Sequence, residues 1–93
     1  MKTEFEIMRG LFYDFYEINE RILTGDICSN KTAMVRAKKL AEKAKKELIK
    51  ADCTDVMIDP YMAAGGWVGI TYSYYHITTG PVTCSLIPRR NAS

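Results

Sequence analysis

The single histidine of this chain and the last of its three cysteines are the pair best suited to nucleophilic chemistry. His76 and Cys84 lie on two runs that read as the strands of one hairpin, with both side chains on the same face. An imidazolium beside a thiol would stabilise the reactive thiolate. The sequence offers no third group to orient the histidine and no oxyanion donors, and a histidine near a strand end more often has a structural role. We therefore expect no enzymatic activity.

The cysteines could also bind a metal. Cys28, Cys53 and Cys84 are 25 and 31 positions apart and include no Cys-x-x-Cys pair. With His76 they could formally make a zinc site of three thiolates and one imidazole, but the ligands of such sites usually come in close pairs. An odd and scattered set indicates free thiols in a reducing compartment. We expect a cytoplasmic protein with no metal or other cofactor.

Aromatic side chains form the set best suited to binding. Tyr61, Trp67 and Tyr75 fall on one face of the predicted sheet, among threonines and serines. Tyr and Trp bring a large contact area with few rotatable bonds and a polar group, so this face is predicted to recognise a protein partner or a second copy of the chain. Strand propensity alone also favours these residues, which leaves an ordinary solvent-facing sheet as the alternative. Tyr13, on the first predicted helix, is a further candidate for partner binding.

A basic helix face is the second candidate binding surface. The net charge of +2 hides an uneven distribution, with −3 over residues 1–26, +6 over 27–50 and −1 over 51–93. Rows of lysine and arginine bind nucleic acid by releasing counterions from the phosphates, so nucleic-acid binding is the alternative function. The row has only one arginine and no aromatic residue, which also fits a solvated helix face or a surface for an acidic protein. The row consists of Arg36, Lys39, Lys43, Lys46 and Lys50.

Two helices position these residues. Thr3 and Glu6 form a capping-box pattern, apolar residues then recur every three or four positions, and Gly25 suits a left-handed C-terminal cap. Together these features predict a helix over 4–24. A second helix, over 30–51, is rich in Ala, Lys, Glu and Leu. Half of its inward residues are alanines, so its backbone can lie close to the layer that it covers.

Three strands are predicted after the helices, over 55–62, 67–78 and 82–87. These runs are rich in β-branched and aromatic residues and are separated by turns that contain glycine. Pro60 lacks an amide donor and so favours an edge position for the first strand. Residues 89–93 are predicted to be a frayed tail.

The order of the elements predicts a two-layer α+β fold of order α-α-β-β-β, with both helices on one face of a three-stranded antiparallel meander. The opposite face, with Tyr61, Trp67 and Tyr75, is then left uncovered. Period-two alternation assigns nine residues to the face under the helices. They are Val56, Ile58, Val68, Ile70, Tyr72, Tyr74, Val82, Cys84 and Leu86.

Length and composition limit the classes of function. The 93 residues are 47% hydrophobic and 26% charged, which is typical of one globular domain. No apolar run approaches the ~20 residues of a membrane span, and acidic residues at positions 4 and 6 argue against a signal peptide. We interpret the chain as a small non-enzymatic protein-binding module, an inhibitor or adaptor of the phage or mobile-element type, with nucleic-acid binding as the alternative. The sequence does not identify its protein partner, and association into a homo-oligomer stays open.

Overall fold

The computed structural model describes residues 2–90, which fold into two helices followed by three strands. The strands form one antiparallel sheet in the order β1-β2-β3, and both helices pack on the same face of it. The predicted two-layer α+β fold is thus confirmed. The elements are α1 (Glu4–Thr24), α2 (Asn30–Lys50), β1 (Thr54–Ala63), β2 (Trp67–His76) and β3 (Gly80–Leu86).

Local capping sets both ends of α1. The Thr3 hydroxyl accepts the Glu6 backbone N–H at 3.2 Å, and the Glu6 carboxylate accepts the Thr3 N–H at 3.4 Å, which completes the capping box. Gly25 ends the helix in the left-handed region, with a φ of 87°, and donates its N–H to the carbonyl of Ile22. Because these contacts join residues three apart, they are visible as a pattern in the sequence.

The core lies between the helices and the first two strands. Phe15 of α1, Leu48 of α2, and Val68 and Ile70 of β2 are fully buried. Burial of an apolar side chain of this size contributes roughly 1.5–3 kcal/mol. α2 packs mainly on β1 through a stripe of buried alanines, whose short side chains let the helix backbone approach the sheet, while α1 packs on α2 and β2.

The strand register sets which side chains face the helices. Tyr72 of β2 lies opposite Ile58 of β1 and Cys84 of β3, so the three side chains share one side of the sheet. Tyr72 also contacts the Phe12 ring of α1, which identifies this side as the inner one. All nine residues predicted for the inner face lie on this side of the sheet by alternation. One of them, Cys84, is nevertheless exposed to solvent.

The helix layer covers β3 only in part. Val82 and Leu86 are half-buried against the core, whereas Cys84, which lies between them on the same side, is exposed. The sequence predicts helices over the whole inner face, and the difference has a physical reason. The buried Asn19 of α1 makes two hydrogen bonds with the backbone of Val68 and one with the carbonyl of Pro88. These bonds hold α1 to the start of β2 and to the segment that follows β3, which leaves the middle of β3, at Cys84, exposed.

The turn between β2 and β3 lies two residues earlier in the chain than predicted. β2 ends at His76 rather than at position 78, and β3 begins at Gly80 rather than at position 82. The Nδ1 atom of His76 accepts the Thr78 N–H at 3.2 Å, and Gly80 takes the left-handed conformation, with a φ of 76°. The turn therefore forms directly after His76.

Candidate functional site

The face of the sheet away from the helices carries three of the four predicted partner-binding residues. The register places Tyr61, Trp67 and Tyr75 at outward positions of β1 and β2. Both helices pack on the opposite face, so within the described residues no helix covers this outer face. It is therefore available for contact with another molecule.

The Tyr61 ring is fixed across the sheet. Its cross-strand neighbour on β2 is Gly69, where an added Cβ atom would overlap the ring. The ring therefore lies directly on the β2 backbone, and its hydroxyl oxygen reaches to 3.4 Å from the Ser85 Oγ on β3. That Oγ atom is in turn 3.1 Å from the Thr71 hydroxyl oxygen. Tyr61 thus spans all three strands with its ring already ordered.

Trp67 is held at the same end of the sheet by a residue that sequence reasoning missed. The Arg89 guanidinium lies 5.2 Å from the centre of the Trp67 ring, within range for a cation–π contact. Trp67 is a diagonal neighbour of Tyr61 in the register, which corresponds to roughly 7–8 Å between their Cα atoms. We call Tyr61, Trp67 and Arg89 the aromatic platform.

The segment that carries Arg89 runs back to α1. Pro88 is buried, and its carbonyl accepts a hydrogen bond of 2.7 Å from the Asn19 amide. Arg90 forms an ion pair with Glu20 of α1. The first two residues of the predicted tail, Arg89 and Arg90, therefore contact Trp67 and α1 while remaining exposed. The rest of the predicted tail, positions 91–93, lies outside the described residues.

The other predicted aromatic residues are not part of the platform. Tyr75 is 43% exposed and lies eight residues from Trp67 along β2, a separation of about 26 Å. Tyr13 is 69% exposed but belongs to α1, in the other layer of the fold. The structure therefore brings Tyr61 and Trp67 together and leaves Tyr75 and Tyr13 as separate positions.

The basic row lies on the solvent side of α2. All five side chains are exposed, and none forms an ion pair with a partner in the described part of the chain. From the first to the last of them, Arg36 to Lys50, the row is about 21 Å long. It therefore presents a continuous line of positive charge to a partner. The members are Arg36, Lys39, Lys43, Lys46 and Lys50.

Acidic residues of α1 approach one end of this row. Arg36 and Lys39 line a groove of about 340 Å³ between the two helices, together with Asp14 and Glu17. Burial, and then the charge of Glu17, raise the pKa of Asp14, while Lys43 acts in the opposite direction. The positive potential is therefore weakened at the Arg36 end.

His76 is engaged in a structural contact. Its Nε2 atom lies 3.4 Å from the Glu4 carboxylate, and its Nδ1 atom accepts the Thr78 N–H. Because Nδ1 accepts a hydrogen bond, the proton of the neutral ring is on Nε2 and faces the carboxylate. Cys84 lies opposite Tyr72, four residues or about 13 Å along β2 from His76. The thiol–imidazole pair considered from the sequence is therefore not formed.

Two groups of the core, the Cys53 thiol and the Tyr72 hydroxyl, have raised pKa values that disfavour their nucleophilic anions. Burial, followed by the charges of Glu4 and Asp52, raises the pKa of the buried Cys53 thiol. Burial likewise raises the pKa of Tyr72 to about 12, with the Cys84 thiol as the next cause. Over residues 2–90, no group of three or more His, Cys, Asp or Glu side chains is arranged to hold a metal ion.

No protein-family model, curated protein or solved structure matches this chain. Neither helix of the described chain has both the length and the apolar character needed to cross a membrane. The aromatic platform and the basic row are the surfaces that carry the binding residues predicted from the sequence.

Proposed function

We propose that this protein is a small non-enzymatic module that binds another protein through its aromatic platform. The observation that carries this proposal is that contacts within the chain hold the platform side chains in place. Tyr61 lies on Gly69 and reaches Ser85, and Trp67 lies against Arg89. Side chains that are already fixed lose little conformational entropy on binding, so more of the contact energy appears as affinity. Tyr and Trp are also the residues that most often dominate protein interfaces.

The groups around the platform define the chemistry of the partner. Arg89 makes no ion pair with another described residue, so its guanidinium can bind a carboxylate of the partner. The hydroxyl groups of Thr71 and Ser85 lie beside the Tyr61 ring and can bind a backbone. We therefore expect a partner segment with an apolar side chain next to an acidic one.

An inhibitor or adaptor, of the kind that phages and mobile elements encode, fits a module of this size. The contact of His76 with Glu4 and the raised pKa of the buried Cys53 thiol support a role without catalysis. Three free cysteines support a reducing compartment such as the cytoplasm.

Affinity capture followed by calorimetry tests this function. The wild-type protein and Trp67→Ala are used to capture partners from a nuclease-treated lysate, and a protein retained only by the wild type is purified. Loss of Trp67 is expected to weaken its binding by about 30-fold, the effect of removing about 2 kcal/mol of contact energy. Gly69→Ala is expected to weaken binding by roughly tenfold, because the new Cβ atom displaces the Tyr61 ring without removing it.

Tyr13→Ala is the control, because it removes an exposed aromatic ring from the other layer of the fold. It is expected to bind like the wild type. A partner that binds all four proteins with the same affinity would contradict the proposal. Variants that lose affinity only in proportion to a lower thermal midpoint of their own would also contradict it, because the loss would then reflect stability and not contact.

The basic row supports nucleic-acid binding as a second candidate function. Its five exposed cations make no ion pair within the described residues. Anisotropy of a labelled oligonucleotide, measured at several salt concentrations, is the test. Replacing Lys43 and Lys46 together by alanine should lower the slope of log affinity against log salt by about two. Trp67→Ala should leave that slope unchanged, and an absence of binding at low salt would rule this function out.

A further inference from the structure

A second uncovered surface lies on the helix side of β3. α2 packs mainly on β1 and α1 on β2, while above β3 Val82 and Leu86 are only half-buried against the core and Cys84 is exposed. One wall of this space is α1, since the centre of the Phe12 ring is 5.5 Å from that of Tyr72, the cross-strand neighbour of Cys84. We call the space beside α1 and above β3 the open groove.

The wall that α1 contributes to the open groove is apolar. Phe5 is 58% exposed, Tyr16 is 36% exposed and Leu23 is 53% exposed. Together with Phe12, these residues follow one another at spacings of seven, four and seven positions, which places them in one stripe along the helix. A continuous exposed apolar stripe of this kind marks an interaction surface.

The free edge of β3 is open to pairing, unlike the free edge of β1. β1 carries Asp59, Pro60 and an irregular register near its start, all features that prevent a further strand from adding. β3 has no charge or proline from Val82 to Leu86, and its register with β2 is regular. Within the described chain only β2 pairs with it. Its outward N–H and C=O groups can therefore bind another strand.

We propose that a second copy of this chain occupies the open groove, with its β3 paired antiparallel to the first β3 about a two-fold axis. The two sheets then form one sheet of six strands, whose outer edges are the two protected β1 strands. α1 runs parallel to β3, because Glu4 lies beside His76 before β3 and Asn19 lies beside Pro88 after it. The two-fold axis that pairs the strands therefore also sets the two α1 helices antiparallel across the groove.

The apolar stripe of α1 is complementary to its own reversed copy. In an antiparallel pair of helices centred at position 14, Phe5 faces Leu23 of the second copy, and Phe12 faces Tyr16 of the second copy. Each apolar residue of the stripe thus meets an apolar residue. An interface of this kind is isologous, as a two-fold axis requires.

The charges beside the stripe are complementary in the same arrangement. Arg9 is exposed and makes no ion pair within the described residues. In the antiparallel pair it falls within one position of Glu20 of the second copy, on the rim of the contact, where Glu20 already pairs with Arg90 of its own chain and would be shared by the two arginines. The two-fold axis repeats this pair, so two oppositely charged contacts flank the apolar centre.

The helix pair and the strand pair agree on the position of the axis. Phe12 lies at the level of Cys84, because both are neighbours of Tyr72. Position 14 is two residues, or about 3 Å, farther along α1. A strand pair centred on Cys84 therefore has its axis within about 3 Å of the centre of the helix pair.

The width of the groove suits aromatic side chains. Two α1 helices, each above its own β2, are three strand spacings apart, or about 14 Å. Closely packed helices are roughly 8–10 Å apart. The rings of Phe5, Phe12 and Tyr16 from both copies fill the additional width.

This association goes beyond the proposed function and does not depend on it. The aromatic platform is on the opposite face of the sheet, so it stays exposed in the pair. Two platforms on one six-stranded sheet would bind a repetitive partner with higher avidity than one.

Light scattering coupled to size exclusion, over a range of concentrations, tests the association. The wild type is expected to reach twice its monomer mass of 10.6 kDa. Leu23→Glu, at an exposed position, should raise the dissociation constant by roughly tenfold or more. Arg9→Glu should also weaken the pair, because a carboxylate then faces Glu20 of the second copy on the rim of the contact. Tyr13→Ala, outside the groove, should have no effect.

Disulfide trapping tests the position of the axis. Cys28→Ser leaves Cys84 as the exposed thiol, and in a strand pair centred there the two Cα atoms are about 4.5–5.5 Å apart, within disulfide range. Diamide takes two protons and two electrons from the two thiols, which should give a covalent dimer. The same protein with Cys84→Ser added should give none.

Three outcomes would overturn the proposal. The first is a mass of 10.6 kDa at every concentration. The second is a dimer that Leu23→Glu and Arg9→Glu leave unchanged. The third is a non-covalent dimer that diamide fails to cross-link through Cys84. Circular dichroism of each variant at low concentration shows that the comparison is between folded proteins.

Discussion

Replacing Asn19 by alanine tests the contact that fixes α1 to the sheet. The Asn19 amide donates to the carbonyls of Val68 and Pro88 at 3.0 and 2.7 Å, and its oxygen accepts the Val68 N–H at 2.9 Å. The side chain is buried. Alanine removes all three bonds and leaves the backbone groups without their partner.

The expected decrease in the free energy of unfolding follows from the number of hydrogen bonds that Asn19→Ala removes. A hydrogen bond contributes about 1 kcal/mol net, and more when its partner is left buried, so the three bonds together should contribute about 3 kcal/mol. A chain of 93 residues has a free energy of unfolding of roughly 5–14 kcal/mol. Asn19→Ala should therefore lower the thermal midpoint by roughly 12–24 °C.

Urea unfolding followed by circular dichroism measures this loss. Glu17→Ala, an exposed change on the same helix, is the control and should alter the free energy of unfolding by less than about 0.5 kcal/mol. The emission of Trp67 in the folded state is a second measurement, because release of Pro88 should move Arg89 away from the ring. A loss below about 1 kcal/mol would refute the reasoning, since water would then replace the amide at no large cost.

Two substitutions and one labelling experiment test the polar groups of the core and of the helix layer. His76→Phe leaves the buried Glu4 carboxylate without its partner and should cost about 1–3 kcal/mol in urea unfolding, and a stability equal to the wild type would show that water replaces the imidazole. Thiol labelling at pH 8 should modify Cys53 only in denaturant, because its pKa is raised and the thiol is buried, whereas rapid modification of the native protein would contradict the core position. The pKa of Asp14 is raised, so the folded protein favours the protonated carboxyl group. Its contribution to stability is therefore fully present below the pKa that Asp14 has in the unfolded chain, and it is lost as the pH rises through the pKa in the folded protein. Asp14→Asn should therefore raise the thermal midpoint at pH 7 and leave it nearly unchanged at pH 3, and equal midpoints at pH 7 would contradict this.

Features that depend on near neighbours in the chain were open to prediction. The capping box of α1 joins residues three apart, and the alternation of β2 alone assigns Tyr72 to the inner face. The order of the elements then leaves little choice but two helices on one side of an antiparallel sheet. Tyr61 and Trp67 were found on the outer face for the same reason, because period two determines the side of a strand on which a residue lies.

Contacts between distant parts of the chain were not open to prediction. The bonds of Asn19 join it to Val68 and Pro88, and Arg89 lies on Trp67, without any periodic pattern that marks these pairs. Alternation assigns Cys84 to the inner face but does not determine whether a helix lies above it. The open groove and the third member of the aromatic platform therefore appear only in three dimensions.

The position of Asn19 has a consequence for folding during synthesis. The helix that carries this amide leaves the ribosome before the sheet, and the Pro88 carbonyl that it binds is made 69 residues later. At about 5–20 residues per second, the amide waits roughly 3–14 s for that carbonyl. Val68, 49 residues after Asn19, supplies the other two bonds, so a buried Asn19 would lack a partner until β2 has been made, which opposes earlier docking of α1. A buried polar side chain in α1 thus links docking of this helix to synthesis of the strand that binds its amide.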